Sequence, residues 1–165
     1  MRRKKTEAKE GGGKPMAVNR KARYQYLVLD KIEAGIALLG TEVKAIRAGQ
    51  VDLSSGFSRV ENDQVMLYDV HIQPYEYGHQ FNHEPRRPRR LLLHRREIRK
   101  LFSKVTSKGR TLIPLSLYVN RRGKVKVELG LCQGKHMVDQ RETLRRRTTD
   151  RETARAIAAH RGKND

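Results

Sequence analysis

The spacing of hydrophobic positions changes several times along the chain, and each change marks the edge of a short element. Residues 24–32 are rich in β-branched and aromatic types, and 34–39 resume after a break, which predicts two adjacent strands. Thr41 then stands where a helix cap belongs, Val43 and Ile46 fall three apart, and Gly49 supplies the stop, so a short helix joins strands here. Residues 57–61 and 65–72 flank Asn62, Asp63 and Gln64 and predict a hairpin. No period survives across 74–88, where tyrosine, glycine, histidine and three prolines predict a long loop of the kind that often carries function. From 95 to 105 the helical period returns with Ile98, Leu101, Phe102 and Val105 on one stripe, and Arg95, Arg96, Arg99, Lys100 and Lys104 off it. Residues 111–119 predict a strand and 120–123 a turn. Over 124–131 alternation is strict, with Val125, Val127, Leu129 and Leu131 on one face and Lys124, Lys126 and Glu128 on the other.

About six strands in hairpin order with short helices in the connections predict a mainly β fold. The expected form is a six-stranded antiparallel barrel of the oligonucleotide-binding (OB) type with flanking helices. A split sheet with helices on one face is the alternative arrangement of the same elements. The apolar residues allow a single core. Three regions follow: a flexible basic arm over 1–16, a barrel over 17–133 and a basic tail over 134–165. Met16 offers a second start, so the arm could be an extension. The tail has little beyond Leu144, Ile157 and four alanines to bury, too little to offset its ordering entropy. It is expected to be disordered when free and helical on a partner, with Thr149 and Glu152 in capping-box spacing ahead of good helix formers at 153–159.

Charge sharpens this picture. The chain holds 37 Lys or Arg against 18 Asp or Glu, a formal net charge of +19. Their placement matters more than their sum: residues 86–110 hold eleven Arg or Lys and one acid, Glu97, whereas residues 24–85 hold nine acids and four bases. A one-signed patch inside a folded domain concentrates phosphates, so nucleic acid is the first partner to consider. No apolar run approaches the ~20 residues of a membrane span. Cys132, the only cysteine, can form no internal disulfide, suits a reducing cytoplasm, and reads as a small core residue near a strand end.

Catalytic constellations are weak. His79 and His83 share helical spacing but lie in the proline-bearing loop without a cysteine or paired acid, a poor zinc site. The glycines at 11–13 before Lys14 lack the strand and spacing of a phosphate-binding loop, and no nucleophile elbow is present. No enzyme activity, cofactor or metal is expected. Arg86–Arg90 with Pro85 and Pro88 could instead serve as a linear peptide ligand, and a barrel-type RNA chaperone is the nearer competitor.

Three ordered stretches carry a family resemblance. Residues 33–49, E-A-G-I-A-L-L-G-T-E-V-K-A-I-R-A-G, resemble the E-A-G-x-A-L-x-G-x-E-V-K-S-L-R-x-G signature of the transfer-messenger-RNA-binding (SsrA-binding, SmpB) family. Residues 85–94, P-R-R-P-R-R-L-L-L-H, resemble its D-P-x-R-x-R-K-L-L-L, and 109–118, G-R-T-L-I-P-L-S-L-Y, its G-x-T-L-V-P-L-K-L-Y. The resemblance spans residues 17–145. It implies a six-stranded barrel that holds the tRNA-like domain of transfer-messenger RNA (tmRNA) and enters stalled ribosomes in the cytoplasm as a monomer. In the family the tail occupies the empty decoding site and mRNA channel, and the protein itself catalyses nothing.

By this resemblance RNA contact falls to Glu33, Lys44, Arg47, Arg89, Arg90, Leu92 and His94, with Lys124 and Lys126 as further candidates on the alternating strand. Arginine suits phosphate because its guanidinium forks onto two oxygens and stacks on bases. A carboxylate such as Glu33 accepts hydrogen bonds from a base amino group. In the tail, residues 134–141, G-K-H-M-V-D-Q-R, resemble the family's G-K-K-x-x-D-K-R, which assigns decoding-site contact to Lys135, His136, Asp139 and Arg141. His136 and Gln140 stand where lysine is usual.

Overall fold

The computed structural model describes residues 15–106, 109–135, 148–153 and 155. The chain divides into two units at the junction of Gly134 and Lys135.

In the first unit strand β1 (Pro15–Val18) pairs with β8 (Arg110–Val119), so ordered pairing starts two residues before the expected edge of the arm. Asn19 then caps a short helix that the sequence reading missed, α1 (Arg20–Gln25). Its side chain accepts from the Ala22 N–H and donates to the Leu53 and Pro114 carbonyls at 2.9 and 3.1 Å, so both ends of a buried amide are paired. The two strands expected over 24–39 are one, β2 (Tyr26–Ile36), with a bulge between Val28 and Asp30. Glu33 reads as a break in the sequence because it is a charged residue on an exposed position within one continuous strand.

Helix α2 (Gly40–Arg47) is capped by Leu39 and not by Thr41, which lies inside the first turn. The Glu42 carboxylate accepts from the Leu39 N–H at 2.9 Å and closes that end. Gly49 takes φ +75°, as the expected stop requires. The hairpin β4 (Phe57–Glu61) and β5 (Gln64–Tyr68) turns on Asn62 and Asp63 alone, both at positive φ. Strands β3 (Val51–Asp52) and β6 (His71–Ile72) form a small separate ladder. The long loop carries one short 3-10 turn (His79–Phe81) before β7 (Arg89–Leu92). Helix α3 (Arg95–Val105) has the expected bounds, and β9 (Val125–Gly134) completes the unit.

Neighbouring strands run β8, β4, β5, β7, β2, β9, and β9 pairs back onto β8. All pairings are antiparallel, so six strands close a barrel and β1 extends one flank of β8. Val65, Leu67, Leu91, Leu112, Leu117, Val127 and Leu129 fill it, and Ala45 and Ile46 of α2 and Ile98 and Leu101 of α3 pack on it. Phe102, expected on that stripe, is 57% exposed instead. The expected single core is supplemented by a second, small cluster of Ala22, Ile113, Leu115 and Cys132. It forms because α1 covers outward-facing residues of β8 and β9, burying both faces of these strands. Burial pushes the Cys132 thiol up to about 11. No helix of the described residues is long and apolar enough to cross a membrane.

In the second unit residues 148–153 and 155 are helical. Thr148 and Thr149 are both helical, so Thr149 lies within the helix and not at its cap, and its carbonyl accepts from the Thr153 hydroxyl at 2.7 Å.

Candidate nucleic-acid interface

An open groove of about 1450 Å³ runs over the outer faces of β2, β8 and β9 to β7 and the start of α3. It brings together five of the residues expected to touch RNA: Glu33, Arg90, Leu92, His94 and Lys126. They come from four elements and span ninety-odd positions of sequence, so only the closed barrel makes them neighbours.

The floor is a lattice of alternating charge. Glu33 on β2 lies directly opposite Glu128 on β9, a pairing that like charges disfavour. Neighbouring donors offset it: Lys31 Nζ lies 3.2 Å from Glu128, Ser116 Oγ donates to Glu128 at 3.3 Å, and Lys126 Nζ lies 3.7 Å from Glu33 Oε1. The Tyr118 hydroxyl donates to Glu33 Oε2. Burial raises the Tyr118 phenol, and the Glu33 carboxylate raises it further, so the proton stays on tyrosine at neutral pH. Tyr118 thereby orients a carboxylate whose other oxygen, Oε1, faces the Lys126 ammonium. Sequence reasoning passed over this tyrosine although it closes the third motif; alternation along β8 was the available signal.

Along the other wall Leu92 is 49% exposed, whereas Leu91 beside it is buried, as the two-residue period of β7 demands. Leu92 faces Gly35 of β2 across the ladder, where an added Cβ would lie 3.1 Å from Leu92 Cβ. The leucine therefore presents an apolar surface beside the Arg90 cation. His94 is the N-cap residue of α3; its backbone N–H donates to the Glu97 carboxylate at 2.9 Å, and its exposed ring lies at the groove edge.

The remaining predicted residues lie elsewhere. Lys44 and Arg47 stand exposed on α2, with Lys44 Nζ 5.1 Å above the Tyr75 ring and Arg47 donating to the Gly123 carbonyl at 3.1 Å. Lys124, next to Gly123, is exposed at the same turn. These three form a second basic edge at the β8–β9 turn.

Arg89 requires correction. Its guanidinium is 1% exposed and donates to Glu42, to the Val70 and Arg87 carbonyls and to the Pro85 carbonyl at 2.9 to 3.1 Å. No donor direction is left for phosphate. The inward period of β7 that turns Leu92 outward turns Arg89 into the protein, and Arg90 alone of the pair faces the groove. The partner carboxylate, Glu42, was not singled out from sequence. It also accepts from Arg87 at 2.6 and 2.9 Å. Burial by itself would raise the Glu42 carboxyl, but the Arg87 and Leu39 hydrogen bonds and the Arg89 charge outweigh it and hold it below its ordinary value.

This network also weighs against Arg86–Arg90 as a free linear motif, since Arg87 and Arg89 are ion-paired and β7 is hydrogen-bonded on both edges. Of the tail residues, Lys135 is described as the first residue of the second unit, and His136, Asp139 and Arg141 lie outside the described residues. Among the described residues no cluster of three or more His, Cys, Asp or Glu is placed to hold a metal ion.

Comparison with known proteins agrees in sequence and shape. The SsrA-binding protein of Moorella thermoacetica is 55% identical over 139 residues, covering 84% of this chain and 90% of its own. That of Desulforamulus reducens is 53% identical over 148 residues, covering 90% and 92%. A solved chain from "tmRNA-SmpB: a journey to the center of the bacterial ribosome" superimposes with a TM-score of 0.64 at 49% identity, covering 79% of this chain and 94% of that one. The family model described as SmpB protein matches residues 16–159, and with barrel, groove and motifs in agreement the chain belongs to the SmpB family.

Proposed function

We propose that this protein binds the tRNA-like domain of tmRNA and delivers it to stalled ribosomes for trans-translation, acting by binding and not by catalysis. The observation that carries this reading is the groove in which Glu33, Arg90, Leu92, His94 and Lys126 converge on a barrel of the SmpB family. Its chemistry suits structured RNA: Arg90 and Lys126 meet phosphate, Leu92 and His94 offer surfaces to an unstacked base, and Glu33 accepts from a base amino group. Lys44, Arg47 and Lys124 extend contact along the second edge. Lys135, His136, Asp139 and Arg141 enter the decoding site, and the residues after them follow the mRNA channel as a tail beyond the RNA-binding barrel. Such a protein works in the cytoplasm, as a monomer beside its RNA.

A chain ending at Lys135 tests the division of labour. The cut must fall there, because Cys132 is buried and β9 pairs with β2 as far as Gly134. The shortened protein is expected to bind tmRNA with near-native affinity and to fail in tagging nascent chains on stalled ribosomes. Equal tagging by short and full chains would refute the tail's role, and loss of tmRNA binding would refute the barrel's.

A further inference from the structure

The loop between β6 and β7 displays two aromatic rings that the core does not claim: Tyr77 is 75% exposed and Phe81 68%. They sit on a braced loop. The Asn82 side chain accepts from the Tyr75 N–H at 3.0 Å and donates to the Tyr75 carbonyl at 2.9 Å, pinning both edges of one peptide stretch. The Gly78 N–H donates to Tyr75 and the Phe81 N–H to the Gly78 carbonyl, each at 2.8 Å. A side chain at Gly78 would collide with Asn82 Oδ1, 2.3 Å from its Cβ, so the clamp depends on glycine. Tyr75 lies beneath this, its ring edge-on to Tyr77 at 5.6 Å and covered by Lys44 Nζ.

Cations continue from the rings. Lys44 leads one helical turn on to Arg47, which reaches the Gly123 carbonyl in the turn bearing exposed Arg121, Arg122 and Lys124. Glu76 and Glu84, both exposed on the same loop, are its opposing charges. Exposed rings beside a line of cations match an unpaired nucleic-acid strand, in which bases stack on the rings and phosphates follow the charges.

We infer that Tyr77 and Phe81 form a stacking platform for unpaired bases of the RNA partner, outside the lining of the groove and continuous with the Lys44, Arg47 and Lys124 edge. The inference rests on the proposed RNA-binding function and adds a site to it. Both rings are exposed, so replacing them leaves the barrel's packing intact.

The chain has no tryptophan, so Phe81→Trp installs a single reporter in the full-length protein. Titration with a transcript of the tmRNA tRNA-like domain, and separately with whole tmRNA on ribosomes, is expected to quench its emission by stacking. The Tyr77→Ala, Phe81→Ala double variant is expected to lose about tenfold in tmRNA or ribosome-complex affinity, at unchanged salt slope because stacking releases no counterion. Unchanged emission and affinity in both titrations, with RNA bound through the groove, would overturn the platform and leave the functional reading standing. A blue shift without quenching on ribosomes would mean that protein covers the rings, and would also overturn it. Failure of the unsubstituted chain to bind tmRNA would overturn the functional reading and the platform together.

Discussion

Adjacent arginines in β7 have opposite fates. Arg89 is buried against Glu42 and Arg90 is exposed in the groove, so their replacement separates stability from binding. Removing one partner of a buried ion pair strands the other charge, at a cost of about 3 to 5 kcal/mol. Glu42→Gln and Arg89→Ala are each expected to lose stability of this order in urea titration. Arg90→Ala is expected to keep native stability, weaken tmRNA binding and reduce the slope of log affinity against log salt by about 0.7 to 0.9. An unchanged slope would place Arg90 away from phosphate. The pH dependence follows the sign of the Glu42 shift: a carboxyl held below its ordinary 4.5 adds stability in full above that value and loses it as pH falls through the folded value. Wild type should therefore lose stability more steeply than Glu42→Gln below about pH 4.5, and parallel acid limbs would show the carboxylate to be unimportant.

Among the elements, the β4–β5 hairpin is the most local in its origin. Two residues at φ 47° and 56° make a turn whose twist matches the strands, and the sequence supplies Asn62 and Asp63, two types that tolerate positive φ. Glycine tolerates it better at the second position. Asp63→Gly is expected to stabilise the fold by about 0.5 to 1 kcal/mol, read as a raised urea midpoint at unchanged m-value. A lowered midpoint would mean that the Asp63 side chain contributes more than its backbone strain costs. The bounds of α3 were equally legible from its period. The α2 cap was not, because a carboxylate three residues in closes the helix on a leucine, and α1 was not, because six residues are too few to show a period.

In the whole molecule, charge is divided between a barrel with its own core and a terminal segment with little to bury. A peptide of residues 135–165 is expected to show little helicity by circular dichroism in buffer, since an isolated helix of this size is marginal. Strong helicity without a partner would contradict folding on the ribosome. Local pattern alone determined strands β4, β5, β8 and β9, the hairpin, helix α3, the basic run and the motifs, because periodicity and turn chemistry act between near neighbours; β1, β3 and β7 are too short to show a period, and β2 was split at Glu33. Barrel closure through β8 and β9, the meeting of Glu33 with Tyr118 and Lys126, and the burial of Arg89 while Arg90 stays outside were decided only by tertiary structure. Which face of a strand is buried depends on what packs against it. An arginine looks the same in sequence whether a phosphate or a buried carboxylate receives it.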